Sequence, residues 1–163
     1  MKSIIDVNTG EVQVSEQNEV LRSLAIGSCI VVAAYDSKKR VAGMAHIMLT
    51  GRASEKELQK TKYAVNAIEN MLEMMDKAGS HSKDIEACLV GAGNVMEKPD
   101  ETICKDNIQS VIGLLTQESI TIVASVLGGT KRKGISLDAE VGKITYSEGD
   151  SKEKFLWKAK AIG

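Results

Sequence analysis

The chain has 163 residues, 43% apolar and 26% charged, with a net charge of −1. That length suits one domain, spanning residues 1–163, which buries roughly 70% of its unfolded surface and needs no metal or disulfide staple to fold. The weak charge and 3% aromatic content argue against a nucleic-acid partner. The longest apolar run, Ile30 to Tyr35, falls far short of the roughly 20 residues of a membrane span, so no direct membrane insertion is expected.

In chain order, residues 3–15 carry short alternating stretches such as Glu11 to Val14, which predict an edge strand. Residues 19–26 are mostly apolar and lead into Gly27-Ser28. The segment Cys29 to Tyr35 is the most β-like in the chain; after the polar residues 36–40 comes a second apolar run, Val41 to Leu49. Together these predict a hairpin of two buried strands. Ser54 and Glu57 have capping-box spacing, and Leu58, Thr61, Val65, Ile68, Leu72 and Met75 follow at helical intervals. A helix opening at Ser54 and stopping at Gly79 is therefore predicted. Ile85 to Val90 reads as a strand that runs into the loop Gly91 to Asn94. Pro99 precedes a second helix over about residues 101–117, with Ile108, Val111, Ile112 and Leu115 on its apolar side. Ile120 to Leu127 is β-branched and ends at Gly128-Gly129. A further hairpin turns near Val141 to Lys143, and the last ten residues form a strand or a tail. Strands, helix, strand, helix, strands is an α+β (mixed α/β) order, without the regular alternation of a doubly wound sheet.

The three cysteines, Cys29, Cys88 and Cys104, are odd in number and widely spaced. That is neither a disulfide framework nor a zinc pattern. With no signal-peptide pattern at the N-terminus, the expected compartment is the reducing cytosol, and no metal or cofactor is expected. Cys88, mid-strand, and Cys104, on a helix, read as core residues. His81, in a polar stretch, reads as solvated loop.

Cys29 and His46 stand apart because of the hairpin between them. A four-residue loop at residues 36–39 pairs Tyr35 with Arg40, Val31 with Met44 and Cys29 with His46. Directly opposed residues share a face, with Cβ atoms about 4.5–5.5 Å apart, so a thiol and an imidazole meet. A slip of one residue would put them on opposite faces. A histidine beside a cysteine can take its proton and favour the nucleophilic thiolate. Gly27 and Ser28 leave the backbone before the thiol uncrowded, so that N–H groups there can face an oxyanion. The chemistry expected is acyl transfer through a thioester. The competing reading is a cysteine and a histidine that merely fill the core.

The segment Ile26 to Val32, with Gly27-Ser28-Cys29, and the segment Gly43 to Leu49, with Met44-Ala45-His46, resemble the signature of the CheD family. The resemblance extends over about residues 15–147, through Lys62 to Ala64, Gly91 to Met96, Asn107, Gly128-Gly129 and Arg132. It implies a layered α/β/β sandwich with two main helices, similar to toxin deamidases that use a Cys-His pair. It also implies a protein-glutamine deamidase of methyl-accepting chemoreceptors, with some members hydrolysing receptor methyl esters as well. The implied roles are nucleophile for Cys29 and base for His46. The family's third catalytic residue, a threonine, corresponds to Ser23 here, which keeps a hydroxyl to orient the imidazole. Expected partners are receptor cytoplasmic domains and, in some members, a CheC-like phosphatase. The alternatives are a non-catalytic module that docks on such a phosphatase or a receptor, and a thiol hydrolase of small amides or esters.

Overall fold

A computed structural model describes residues 2–160. Its ten strands form two five-stranded sheets, with two α-helices on the outer face of one of them. In chain order the strands are β1 (Ser3–Asp6), β2 (Val12–Ser15), β3 (Glu19–Ile26), β4 (Ile30–Asp36), β5 (Val41–Ile47), β6 (Glu86–Gly91), β7 (Thr121–Leu127), β8 (Lys133–Asp138), β9 (Lys143–Glu148) and β10 (Lys154–Lys158). Helix α1 (Ala64–Lys77) lies between β5 and β6, and α2 (Ile103–Gln117) between β6 and β7. One sheet runs β1-β3-β8-β9-β10, the other β2-β5-β4-β6-β7. The layers are therefore helix, sheet, sheet, the α/β/β sandwich expected. The predicted edge strand of residues 3–15 is in fact two strands, one at the edge of each sheet.

The alternation of β4 explains why it sits at the centre. Ile30, Val32 and Ala34 point to the helices, joining Ala67, Ile68, Met71, Met75, Val111 and Leu115 in one core. Val31, Ala33 and Tyr35 point the other way, against Leu21, Ile135, Leu137 and Ile144 of the facing sheet. A strand covered on both faces must be apolar at every position, hence its continuous run. Every residue of β4 and β5 is buried.

Two sequence expectations are corrected. The hairpin loop is Ser37 to Arg40, so Tyr35 pairs with Ala42 and Val31 with His46. The Asp36 carboxylate accepts from the Lys38 and Lys39 amides at 2.9 and 3.2 Å, which starts the turn one residue later. Arg40 closes it at φ 56°. The slip amounts to two residues, so it preserves faces: Cys29 and His46 still both belong to the inter-sheet side, though not as a directly opposed pair.

Helix α1 begins at Ala64 rather than at Ser54. The Met48 and Leu49 amides donate to the Lys62 carbonyl, and the Ala64 amide to the Leu49 carbonyl. Those bonds hold Lys60 to Tyr63 against the end of β5, and Leu58 is left in solvent. Tertiary bonds here override a good local capping pattern. The predicted stop holds: Gly79, at φ 93°, donates to the Asp76 carbonyl, and Ser80 to that of Met75. That pair of bonds is the Schellman arrangement.

Candidate active site

His46 lies inside β5, 3% exposed. Its Nδ1 is 3.1 Å from the Val7 carbonyl oxygen. A carbonyl only accepts, so Nδ1 carries the proton and Nε2 presents its lone pair. Burial lowers the imidazole pKa, and the Val7 carbonyl and Glu11 only partly offset this. The ring is therefore a neutral base with its acceptor nitrogen facing out of the core.

Cys29 sits one residue before β4, half-buried, and packs on the inter-sheet core. Burial pushes its thiol pKa up; the hydroxyl of Thr9 and the residue's own backbone N–H pull it back down. Burial thus disfavours the charged form of both groups.

The peptide before Cys29 is held by its carbonyls. Gly93 donates to the Gly27 carbonyl at 2.9 Å, Asn107 Nδ2 to that of Ser28 at 3.1 Å, and Ala92 to that of Cys29 at 2.7 Å. Asn107 is fully buried in α2, and its Nδ2 also donates to the Met48 carbonyl at 3.2 Å. These bonds fix the peptides of residues 27–29 beside the cleft. A glycine is required at position 91, where φ is 131° and a Cβ would lie 2.3 Å from the Cys29 carbonyl oxygen.

Cys29 opens into a cleft of about 350 Å³. Gly27 and Ser28 line it beside the thiol, Val95, Met96 and Ile103 add apolar surface, and Lys98, Glu101 and Arg132 bring charge. The nearby loops are laced together: Asn94 donates to the Gly129 carbonyl, and the buried Lys133 ammonium to those of Gly128 and Lys131. Lys133 was not singled out in the sequence, because a lysine bound only by carbonyls leaves no motif.

Ser23, fully buried in β3, donates at 2.7 Å to the Val7 carbonyl that His46 also uses. It therefore meets the histidine through a shared acceptor. Thr9 was also missed. Its hydroxyl is 3.5 Å from His46 Nε2, and hydrogen bonding to it lowers the Cys29 thiol pKa. The other thiols lie apart: Cys88 is fully buried, with its pKa pushed up to about 12, and Cys104 is buried at the start of α2. His81 is exposed, 2.8 Å from Asp76. Among the described residues no cluster has the makings of a metal site, and no helix is long and apolar enough to cross a membrane.

A family model described as CheD chemotactic sensory transduction matches residues 48–148, a stretch that begins after both Cys29 and His46. A protein of Chlorobium luteolum named "Probable chemoreceptor glutamine deamidase CheD" is 35% identical over 150 residues, 91% of this chain and 75% of the relative. A Halalkalibacterium halodurans protein named "Chemoreceptor glutamine deamidase CheD" is 28% identical over 89% of this chain and 93% of its own length. The crystal structure of the Bacillus licheniformis hypothetical protein YfiH superposes with a TM-score of 0.46 at 17% identity, over 73% of this chain and 56% of that one. The family model spans more than half of the chain, and the first of these relatives matches nearly all of it; the chain belongs to the CheD family.

Proposed function

We propose that this chain is a cysteine-dependent protein-glutamine deamidase that converts glutamines in the cytoplasmic domains of chemoreceptors to glutamate. The names of its relatives supply the substrate class. The observation that carries the chemistry is the half-exposed Cys29 thiol at the cleft, on the same sheet face as a buried imidazole whose free nitrogen is Nε2.

The thiol gives its proton to His46 Nε2 as sulfur attacks the carboxamide carbon of the glutamine. The carbonyl π electrons move onto oxygen, where the N–H groups of residues 27–29 stabilise the charge. Collapse of this intermediate breaks the C–N bond, and the imidazolium protonates the departing ammonia. The neutral His46 then takes a proton from water, hydroxide attacks the thioester, and the thiol is regenerated as glutamate leaves. The sum is amide plus water to acid plus ammonia. Ser23 acts behind the base by fixing the Val7 carbonyl that sets the imidazole tautomer. The apolar surface and the basic Lys98 and Arg132 favour an amide presented beside carboxylates. Such a reaction belongs in the reducing cytoplasm, where a free catalytic thiol persists. Methyl-ester hydrolysis uses the same steps with methanol leaving. The family resemblance adds a CheC-like phosphatase as a second partner.

The test is mass spectrometry of receptor cytoplasmic domains incubated with the protein. Amide-to-acid conversion at discrete glutamines is expected, and Cys29→Ala slows it by about a thousandfold or more. Conversion by Cys29→Ala at the wild-type rate would remove the thiol from the mechanism. No conversion of any chemoreceptor from the same genome would remove the substrate assignment.

A further inference from the structure

We infer that the Thr9 hydroxyl is a proton relay between Cys29 and His46, a third member of the site supplied by the crossover between the two sheets. The inference rests on the catalytic pairing proposed above and adds a route for its first step.

Thr9 is placed by construction. Residues 7–11 carry the chain from β1, in one sheet, to β2, in the other. The Glu11 amide donates to the Asn8 carbonyl at 2.8 Å, and Gly10 stands at φ 84°. That is the pattern of a type II turn, with Thr9 at its first central position and a positive φ at the second. Both backbone groups of His46 fasten this turn: Gly10 donates to the His46 carbonyl at 2.8 Å, and His46 donates to the Glu11 carbonyl at 3.1 Å. The Thr61 hydroxyl holds the Gly10 carbonyl from the far side, at 2.5 Å. The Thr9 side chain is thus fixed relative to the imidazole by the backbone itself. Its oxygen lies 3.5 Å from Nε2, and hydrogen bonding to this hydroxyl draws the Cys29 thiol pKa down against its burial.

The direction of the hydrogen bonds follows from the protonation states. Nδ1–H is committed to Val7, so Nε2 can only accept, and the Thr9 hydroxyl donates to it. A hydroxyl whose proton is so used still has lone pairs to accept from a thiol. The resting order is S–H to O–H to Nε2. In the transfer the thiol proton passes to the Thr9 oxygen as the Thr9 proton passes to Nε2. The result is a thiolate, an imidazolium and an intact hydroxyl that now donates to sulfur. No proton is gained or lost. Cys29 and His46 stand two residues out of direct register, and a hydroxyl between them fills that offset.

Thr9 is exposed, so its replacement disturbs no core. The test compares wild type with Thr9→Val, which keeps the shape and loses the hydroxyl, and with Thr9→Ser, which keeps the hydroxyl. Native-state alkylation of Cys29 by iodoacetamide and receptor deamidation are read in parallel. Thr9→Val is expected to slow alkylation and kcat about tenfold, with KM unchanged, and Thr9→Ser to recover most of both. Thr9→Val reacting at the wild-type rate overturns the relay, even if deamidation is confirmed. Slowed alkylation without deamidation of any receptor supports the relay and rejects the substrate assignment instead. If wild-type Cys29 alkylates no faster than Cys88 and Cys104, the catalytic pairing falls, and the relay with it.

Discussion

The two proposed catalytic side chains are held in opposite ways. His46 is an interior residue of a strand that is buried along its whole length, and its surroundings are the core of the fold. Cys29 lies outside regular structure, and three donors from distant parts of the chain grip the carbonyls around it: Ala92, Gly93 and Asn107. The base is positioned by the sandwich itself. The nucleophile is positioned by clamps that can be removed one at a time. Damage to the clamps should therefore change thiol reactivity along with stability, whereas damage behind the histidine should cost less of both.

The largest effect on this contrast is expected at Gly91. A Cβ there would sit 2.3 Å from the Cys29 carbonyl oxygen and 2.8 Å from Ile26, in a backbone conformation that side chains avoid. Gly91→Ala should destabilise by about 3 kcal/mol or more in urea unfolding and change the alkylation rate of Cys29. An unchanged midpoint would mean that the clamp is soft. Asn107→Ala comes next. It removes two buried hydrogen bonds and should cost about 2 kcal/mol, with slower Cys29 alkylation, because the Ser28 peptide is released. The smallest effects belong to the histidine side. Ser23→Ala removes one buried bond and should cost about 1 kcal/mol while leaving His46 on Val7, so deamidation falls less than it does for Asn107→Ala. The pH dependence gives the same side a signature. The folded-state pKa of His46 is depressed, so below about 6.5 the unfolded chain takes up the proton first. Stability held above that pH should be lost as pH falls toward the folded pKa, and replacing His46 with glutamine should flatten this part of a thermal-melt profile.

Much of this was legible in the sequence, for identifiable reasons. A strand covered on both faces has to be a continuous apolar run, so β4 and β5 could be read, along with the shared face of Cys29 and His46. Their exact register could not, because Asp36 starts the turn from a position that also reads as loop. The late start of α1 was hidden for a related reason: the bonds between Leu49 and Tyr63 that delay it join segments separated in sequence. Thr9 lies twenty residues before Cys29 with no motif around it. Only the crossing between sheets brings it to the thiol. Asn107 could be noted as a family-like residue, but its hold on Ser28 needed the packing of α2 to become visible.

Val7, which anchors the imidazole, directly follows β1, and β1 is an edge strand paired with β3 alone. A strand with one neighbour opens more readily than one with two. When β1 lifts away, the central strands stay paired, yet His46 loses the Val7 carbonyl that fixes its tautomer, while the turn carrying Thr9 stays fastened to β5. Molecules counted as folded by any bulk measure thus include a fraction that is catalytically unstrung. Amide exchange in residues 3–7, rather than the melting temperature, is the quantity that should follow specific activity.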